Sequence, residues 1–342
     1  MTSQIAGHDD NRGAALPQQA TELSIIVVNW NSADFLRECV LSIQQHTKDV
    51  SYEIIVIDNA SFDGCDKALK EYAPDVIYIQ SDKNLGFAKA NNYAFRASRG
   101  TSVLFLNPDT EIIGPAIGIL YRALQQLPTA GAVGARLLSA NCELQTNCIQ
   151  SFPTILNQAL DCEYFRKKWP ESPMWGTKAF LNGHNNAEEV EGICGACLMV
   201  TRDTFHRVGG FSEDYFMYAE DMDLCHKIRE AGYRNYYVPE AEVVHFGGNS
   251  SKQAPSNFSS VMMRESTWRF LRKARGDLYG SCYRVAMFLS AFCRLALLGV
   301  SVLAQPTLRQ GQASTTSFRK WWAILGWSLR RKHSLKRYCE GN

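Results

Sequence analysis

Several places in the chain set reactive oxygen or nitrogen atoms at the ends of apolar runs. Leu104-Phe105-Leu106 is followed at once by Asn107-Pro108-Asp109. Pro108 lacks the amide donor that a strand ladder needs, so the strand stops there. Asn107 and Asp109 are left at its carboxyl end, where ligands collect in open α/β sheets. Asn-x-Asp offers hard oxygen donors to a divalent cation, and a cation there can hold a diphosphate. A plain turn uses the same residues.

Other residues extend the pattern. Asp58 ends the apolar run Glu53–Ile57. Its carboxylate can accept a hydrogen bond from the imide N–H of uracil or thymine, with Trp30 stacked beside the base. Helix capping by Asp58 and simple packing of Trp30 are the alternatives. Asp214, Glu220, Asp221 and Asp223 fall within ten positions. Adjacent Glu220 and Asp221 point to different sides of a helix start, so one can face a cleft and act as a general base toward a hydroxyl. Acidic first turns also suit the helix dipole without any chemistry. His245 closes another strand before Gly247-Gly248. It can ligate a metal through a neutral ring nitrogen or serve as a structural histidine.

The elements that must position these groups alternate. Leu23–Asn29, Glu53–Ile57, Val76–Ile79 and Val103–Leu106 read as buried strands, and helical periodicity fills the stretches between them. Asn31 or Ser32 is expected to cap the first helix. Strand-helix-strand repetition argues for a parallel sheet joined by right-handed crossovers. Further strands are expected at Gly131–Leu138, Ile193–Thr201, Arg234–Val238 and Glu242–Phe246, and a helix at Ala219–Ala231. Residues 139–190 are irregular, and a long insertion of that kind is more often functional than idle.

No Gly-x-Gly-x-x-Gly follows the first strand and no Walker loop occurs, which argues against a Rossmann dehydrogenase or a P-loop enzyme. A metal ion, Mg2+ or Mn2+, is then the natural holder of phosphates. The 342 residues are 46% hydrophobic and 20% charged, an ordinary globular balance. The eleven cysteines read as reduced thiols, and the Cys194/Cys197 pair as core packing.

The formal net charge of +2 hides an asymmetry: residues 264–342 carry 15 Lys and Arg against 3 Asp and Glu, while the rest carries 21 against 31. A basic tail on an acidic body points to an anionic partner. Val285–Ala304 is 20 residues long with Arg294 as its one charge. A central arginine is costly in a bilayer, so an amphipathic helix lying on a membrane surface is the expectation. A packing subdomain or a homo-oligomer interface competes with it. Nucleic-acid binding has no motif behind it. Residues 1–22 read as a flexible arm without a signal peptide, consistent with a cytoplasmic protein held at the inner face of the plasma membrane.

Taken in order, Ser24-Ile25-Ile26-Val27-Val28-Asn29-Trp30-Asn31, Ile57-Asp58-Asn59-Ala60-Ser61, Asn84-x-Gly86-Phe87, Leu106-Asn107-Pro108-Asp109, Phe216-Met217-Tyr218-x-Glu220-Asp221-x-Asp223 and His245 resemble the GT-A family 2 glycosyltransferases, most of all their rhamnosyltransferase-like branch. The resemblance spans about residues 23–250 and implies an α/β GT-A fold, Rossmann-like, with a mostly parallel central sheet, helices on both faces and a C-terminal helical tail. It divides the chain into a glycosyltransferase domain at 23–260, with a nucleotide-sugar half (23–138) and an acceptor half (139–260), and a tail at 261–342. By position, Asn29, Trp30 and Asp58 would hold the base, Asn84 and Gly86 the diphosphate and sugar, and Asp109 the metal. His245 would assist as a ligand, while Asn107 and Glu220 would face the donor. Asn107 departs from the strict Asp-x-Asp pattern, so it acts through water or the sugar. Asp221 would be the base of an inverting displacement onto a saccharide hydroxyl. The expected donor is dTDP-rhamnose, with a UDP-hexose as rival; the expected acceptor is polyprenyl-linked. A catalytically silent sugar-nucleotide-binding partner in a membrane assembly is the alternative from a different class.

Overall fold

The computed structural model describes residues 21–176, 186–247, 257–304 and 312–329. Most of the N-terminal arm, residues 177–185 of the insertion, Gly248 and the basic run Arg330-Arg331-Lys332 lie outside the described residues.

The apolar runs of the first hundred residues form the parallel half of one sheet. β1 (Leu23–Asn29), β2 (Tyr52–Asp58), β3 (Ile77–Gln80) and β4 (Ser102–Leu106) lie in the order β3-β2-β1-β4, all parallel. Every residue of β1 and β4 is buried. Side chains alternate across a strand, so this requires cover on both faces of the sheet. The crossovers are α1 (Ala33–His46), α2 (Cys65–Tyr72) and α3 (Gly86–Phe95). Ser32 does stand at the start of α1, but its hydroxyl donates to the Trp30 carbonyl at 3.0 Å and leaves the helix amides uncapped.

Beyond β4 the directions mix. The chain adds β5 (Thr110–Ile112), α4 (Ala116–Gln126) and β6 (Ala130–Leu138). β7 (Ile149–Gln150) follows, with α5 (Ile155–Ala159) and α6 (Glu163–Lys168) behind it. Next come β8 (Glu188–Val190), β9 (Gly192–Ile193), β10 (Cys197–Thr201), α7 (Arg202–Arg207), α8 (Glu220–Glu230) and β11 (Arg234–His245). β10 runs antiparallel between β4 and β6, β11 lies parallel to β6, and β5 is antiparallel on β11. β7 and β9 pair apart from the main sheet.

Two sequence expectations are corrected here. Arg234–Val238 and Glu242–Phe246 are one strand, whose register with β6 slips between Val238 and Glu242, around Pro239. Proline removes a ladder donor and reads as an end, but a bulge carries the strand past it. The run Ile193–Thr201 is split into β9 and β10 by Cys194-Gly195-Ala196, which faces the cleft.

The tail is helical. α9 (Phe258–Ala304) breaks at Gly276, whose φ of 87° only glycine takes easily, and α10 (Gln312–Ser328) packs on it. After the break the helix folds back, and Gly280 lies against Arg272 and Trp268. Phe270, Leu271, Tyr283, Met287, Trp321, Ile324 and Trp327 form a second core that also takes in Tyr215 and Met222 from outside the tail. Arg294 is turned inward onto the carbonyls of Ala159 (3.1 Å) and Asp161 (3.3 Å) and lies over the Trp321 ring.

Candidate active site

A cavity of about 780 Å³ opens at the carboxyl ends of the parallel strands. Trp30, Asn84, Gly86, Asn107, Asp109, Glu220, Asp221 and His245 all line it, although 215 positions separate the first from the last. Topology explains the convergence. The turn after β4 crosses to β5, and β5 pairs with the end of β11 so that Thr110 stands opposite His245. Asp109 and His245 are thereby neighbours, with Asp109 Oδ1 at 3.5 Å from His245 Nε2 and the Asn107 amide at 3.4 Å from the same nitrogen.

Gln145, from the irregular insertion, sets the state of that histidine. Its amide nitrogen donates to the carbonyls of Leu138 and His245, so its Oε1 faces His245 Nδ1 at 3.0 Å. An acceptor there calls for a proton on Nδ1, while Nε2 faces the Asp109 carboxylate and the Asn107 amide nitrogen. The Asp109 carboxylate and the second ring nitrogen of His245, with the Asn107 side chain beside them, form a donor set suited to a divalent cation, Mn2+ or Mg2+.

The same cavity is lined by the two acids at the start of α8. Two consecutive residues before them, Tyr218 and Ala219, have φ of 69° and 62°. Left-handed backbone is strained for residues with a Cβ, and such strain gathers at functional loops. It aims Glu220 and Asp221 into the cleft. Asp221 Oδ2 accepts from the Gly195 amide at 2.9 Å and Oδ1 from the Met222 amide at 2.8 Å. Burial pushes the Asp221 carboxyl above the ordinary range, and these amides hold it back. Glu220 is pushed well above its ordinary value, first by burial and then by the charge of Asp221. Its Oε2 is buried and has no hydrogen-bond partner among the described residues. Of the pair, Glu220 is pushed further toward its protonated form, while Asp221, held by two amides, keeps its charge more readily.

Asn29 and Asp58 are not brought to the cavity wall. Asp58 is fully buried, and its carboxylate accepts from the Asn29 amide (2.9 Å), Ser61 N (3.1 Å), Phe62 N (3.2 Å) and Gln80 Nε2 (2.9 Å). Asp58, Asp63 and Cys65 place ligand atoms within 4.8 Å of one another. The Asn29 NH2 group lies within hydrogen-bond distance of all three, at 2.9 Å from Asp58, 3.1 Å from Asp63 and 3.4 Å from Cys65. Asn84 and Gly86 are held by Asn59, whose Nδ2 donates to Asn84 Oδ1 at 2.9 Å and whose Oδ1 accepts from Leu85 N at 2.8 Å.

Sequence reasoning missed Gln145, Gly195 and the orienting role of Asn59. Asn59 directly follows Asp58 and had a motif to betray it; Gln145 and Gly195 had none. Cys197 is in the core, while Cys194 lies on the cavity wall with its thiol pushed up by burial and therefore protonated.

With this geometry in view, comparisons with known proteins assign the class. The model of "Glycosyl transferase family 2" matches residues 24–209, and that of "N-terminal domain of galactosyltransferase" matches residues 179–247. The chain belongs to glycosyl transferase family 2. Among its relatives is the N-acetylglucosaminyl-diphospho-decaprenol L-rhamnosyltransferase of Mycobacterium tuberculosis, 29% identical over 73% of this chain and 83% of the relative. Rhamnosyltransferase WbbL of Escherichia coli is 25% identical over 73% of this chain and 93% of its own length. A mannosyltransferase of Pyrobaculum calidifontis, solved with GDP-Man and Mn2+, shares the fold: its TM-score is 0.57 at 18% identity, covering 94% of this chain and 90% of that one. The expected GT-A fold and rhamnosyltransferase-like kinship both hold.

Proposed function

We propose that this glycosyltransferase moves a rhamnosyl group from dTDP-rhamnose to a hydroxyl of a polyprenyl-linked saccharide, with inversion at the anomeric carbon. The observation that carries the reading is the meeting, in one cavity, of the Asn107/Asp109/His245 donor set and the Glu220/Asp221 pair. The kinship with two rhamnosyltransferases, one of them named for a diphospho-decaprenol acceptor, supports donor and acceptor alike.

Asp109 and His245 Nε2 would hold the divalent cation, which when bound neutralises negative charge on the departing nucleoside diphosphate. Asp221 accepts the proton of the acceptor hydroxyl. The freed oxygen attacks the anomeric carbon as the bond to the diphosphate breaks on the opposite face, and the proton stays on Asp221. Glu220, protonated, donates a hydrogen bond to a hydroxyl of the sugar ring. Trp30 lies beside the base, and Asp58 acts at one remove by shaping the turn that follows β2.

The test is a transfer assay with a synthetic polyprenyl-diphospho-N-acetylglucosamine acceptor, Mn2+ and either dTDP-rhamnose or UDP-hexoses. Anomeric analysis of the product by NMR should show inversion from dTDP-rhamnose. Transfer from UDP-hexoses alone would replace the donor assignment, and retention of configuration would sink the role of Asp221.

A further inference from the structure

The tail presents a surface that neither the catalytic cavity nor the second core uses. Every exposed residue from Leu278 to Val300 is uncharged. Leu278, Val285, Leu289, Phe292, Leu297 and Val300 are each more than half exposed. Their spacing puts them on one face of the helix, a stripe roughly 33 Å long. The opposite face carries Tyr283, Met287 and Ala291 into the second core. Both arginines of this stretch also turn inward. Arg294 is bound to backbone carbonyls of the α5–α6 loop region, and Arg284 is paired with Glu265 at 3.2 Å over the rings of Trp268 and Trp327. α10 adds Phe318 and Trp322, exposed and stacked with ring centroids 6.2 Å apart, beside the exposed cations Arg319 and Lys320. A charge-free, largely apolar surface of this length is rare on a protein that has no partner there.

Charge selects the partner. The segment 264–342 carries 15 basic and 3 acidic residues. Two such segments facing each other across a two-fold axis would repel, which disfavours a symmetric pair of chains joined by this face. A spanning helix would have to strip Arg294 from its carbonyls and pull α9 from the core it shares with Tyr215 and Met222. An anionic lipid surface meets both features at once, taking the apolar stripe into its acyl boundary and the cations into its headgroups.

We propose that the outer face of α9 from Leu278 to Val300, with Phe318 and Trp322 of α10, lies in the plane of an anionic bilayer and inserts without crossing it. The segment of α9 before the break at Gly276 reaches the cavity through Met263 and Thr267. A docked tail thus fixes how far the cavity stands from the lipid. That consequence rests on the proposed lipid-linked acceptor, whereas the docking itself does not.

The experiment is co-sedimentation of the full chain with vesicles of phosphatidylcholine alone or with about one quarter phosphatidylglycerol. Binding is expected on the anionic vesicles, to weaken with salt, and to fall at least tenfold in a Leu289→Asp/Phe292→Asp variant whose melting temperature is unchanged. Quenching by shallow brominated lipids should strike Trp322 and be lost in Trp322→Phe, since Trp321 and Trp327 are buried. A chain that stays in the supernatant with anionic vesicles at low salt overturns the proposal. Release by detergent alone, never by salt and alkaline carbonate, overturns its in-plane geometry. Light scattering that shows a dimer dissociated by the double variant assigns the face to a second copy instead. Transfer activity on a soluble acceptor analogue is read separately, so loss of docking and loss of function cannot be confused.

Discussion

Gln145 stands out at the scale of single residues, because it acts through another. It fixes the protonated nitrogen of His245, and a group that orients a metal-ligating imidazole typically influences affinity by about 10- to 100-fold. Gln145→Leu should therefore weaken Mn2+ binding by that factor in the presence of dTDP, read by the free-ion EPR signal, with little change in melting temperature. Asp221→Asn should lower kcat by roughly 100- to 10,000-fold while donor binding persists. Asp109→Ala should instead raise the Mn2+ concentration needed for turnover. Glu220 gives a pH test. Burial and the charge of Asp221 raise its pKa in the folded chain, so its contribution to stability is complete below its unfolded value and lost as pH rises through the folded one. Glu220→Gln removes that titration. Its melting temperature should gain on the wild type as pH climbs from acid to neutral, and a difference constant with pH would mean that Glu220 ionises freely. The acids were legible from their adjacency at a helix start. Asp58 was only half legible: a carboxylate at a strand end looks the same whether it meets a ligand or, as here, four donors of its own chain.

Among the elements, α3 and the loop before α8 are locked together. Gly86, at φ 75°, opens α3, and the next amide, of Phe87, donates to the Phe216 carbonyl at 3.0 Å. A Cβ on Gly86 would come to 2.3 Å from that carbonyl oxygen. Gly86→Ala should thus destabilise the chain by on the order of 3 kcal/mol, through positive φ and overpacking together, and denaturant unfolding would measure it. The resemblance put Gly86 in the loop that approaches the donor, and Gly86 does line the cavity, but the close approach seen at its Cα is that of Phe216. The parallel strands could be read ahead of the structure because burial on both faces writes an unbroken apolar run. β5 could not, since three residues carry no period, and β11 read as two strands because Pro239 punctuates a strand that a bulge continues. The cleft wall at Cys194-Gly195-Ala196 was hidden for the opposite reason: it is as apolar as the strands it separates.

For the molecule as a whole, the question is whether the tail is an appendage or part of the fold. The second core answers it, for Tyr215 and Met222 flank Glu220 and Asp221 in sequence and are buried by α9 and α10. Ser266 donates to the Met217 carbonyl at 2.8 Å, which ties the tail to the strained loop that aims the two acids. Glu265 is the electrostatic centre of this union. Buried to 5% exposure, it accepts from Arg269 (3.2 Å), Arg284 (3.2 Å) and Trp327 Nε1 (2.9 Å). Removing one partner of such a network leaves the remaining charges buried and unpaired, a loss of about 3–5 kcal/mol when the pair is well enclosed. Arg284 is 13% exposed at its side chain and qualifies; Arg269, at 39%, does not add to the figure. Glu265→Ala should therefore lower stability by an amount near the bottom of that range. It should lower kcat as well, because the loop before Glu220 loses its support. Glu265→Gln keeps an acceptor for Trp327 and should retain more of both. A tail that were a mere appendage would behave otherwise: calorimetry would show two separate transitions, and only the tail's would move in Glu265→Ala. The shared core requires one transition, shifted as a unit, with the catalytic loop and the helical bundle failing together.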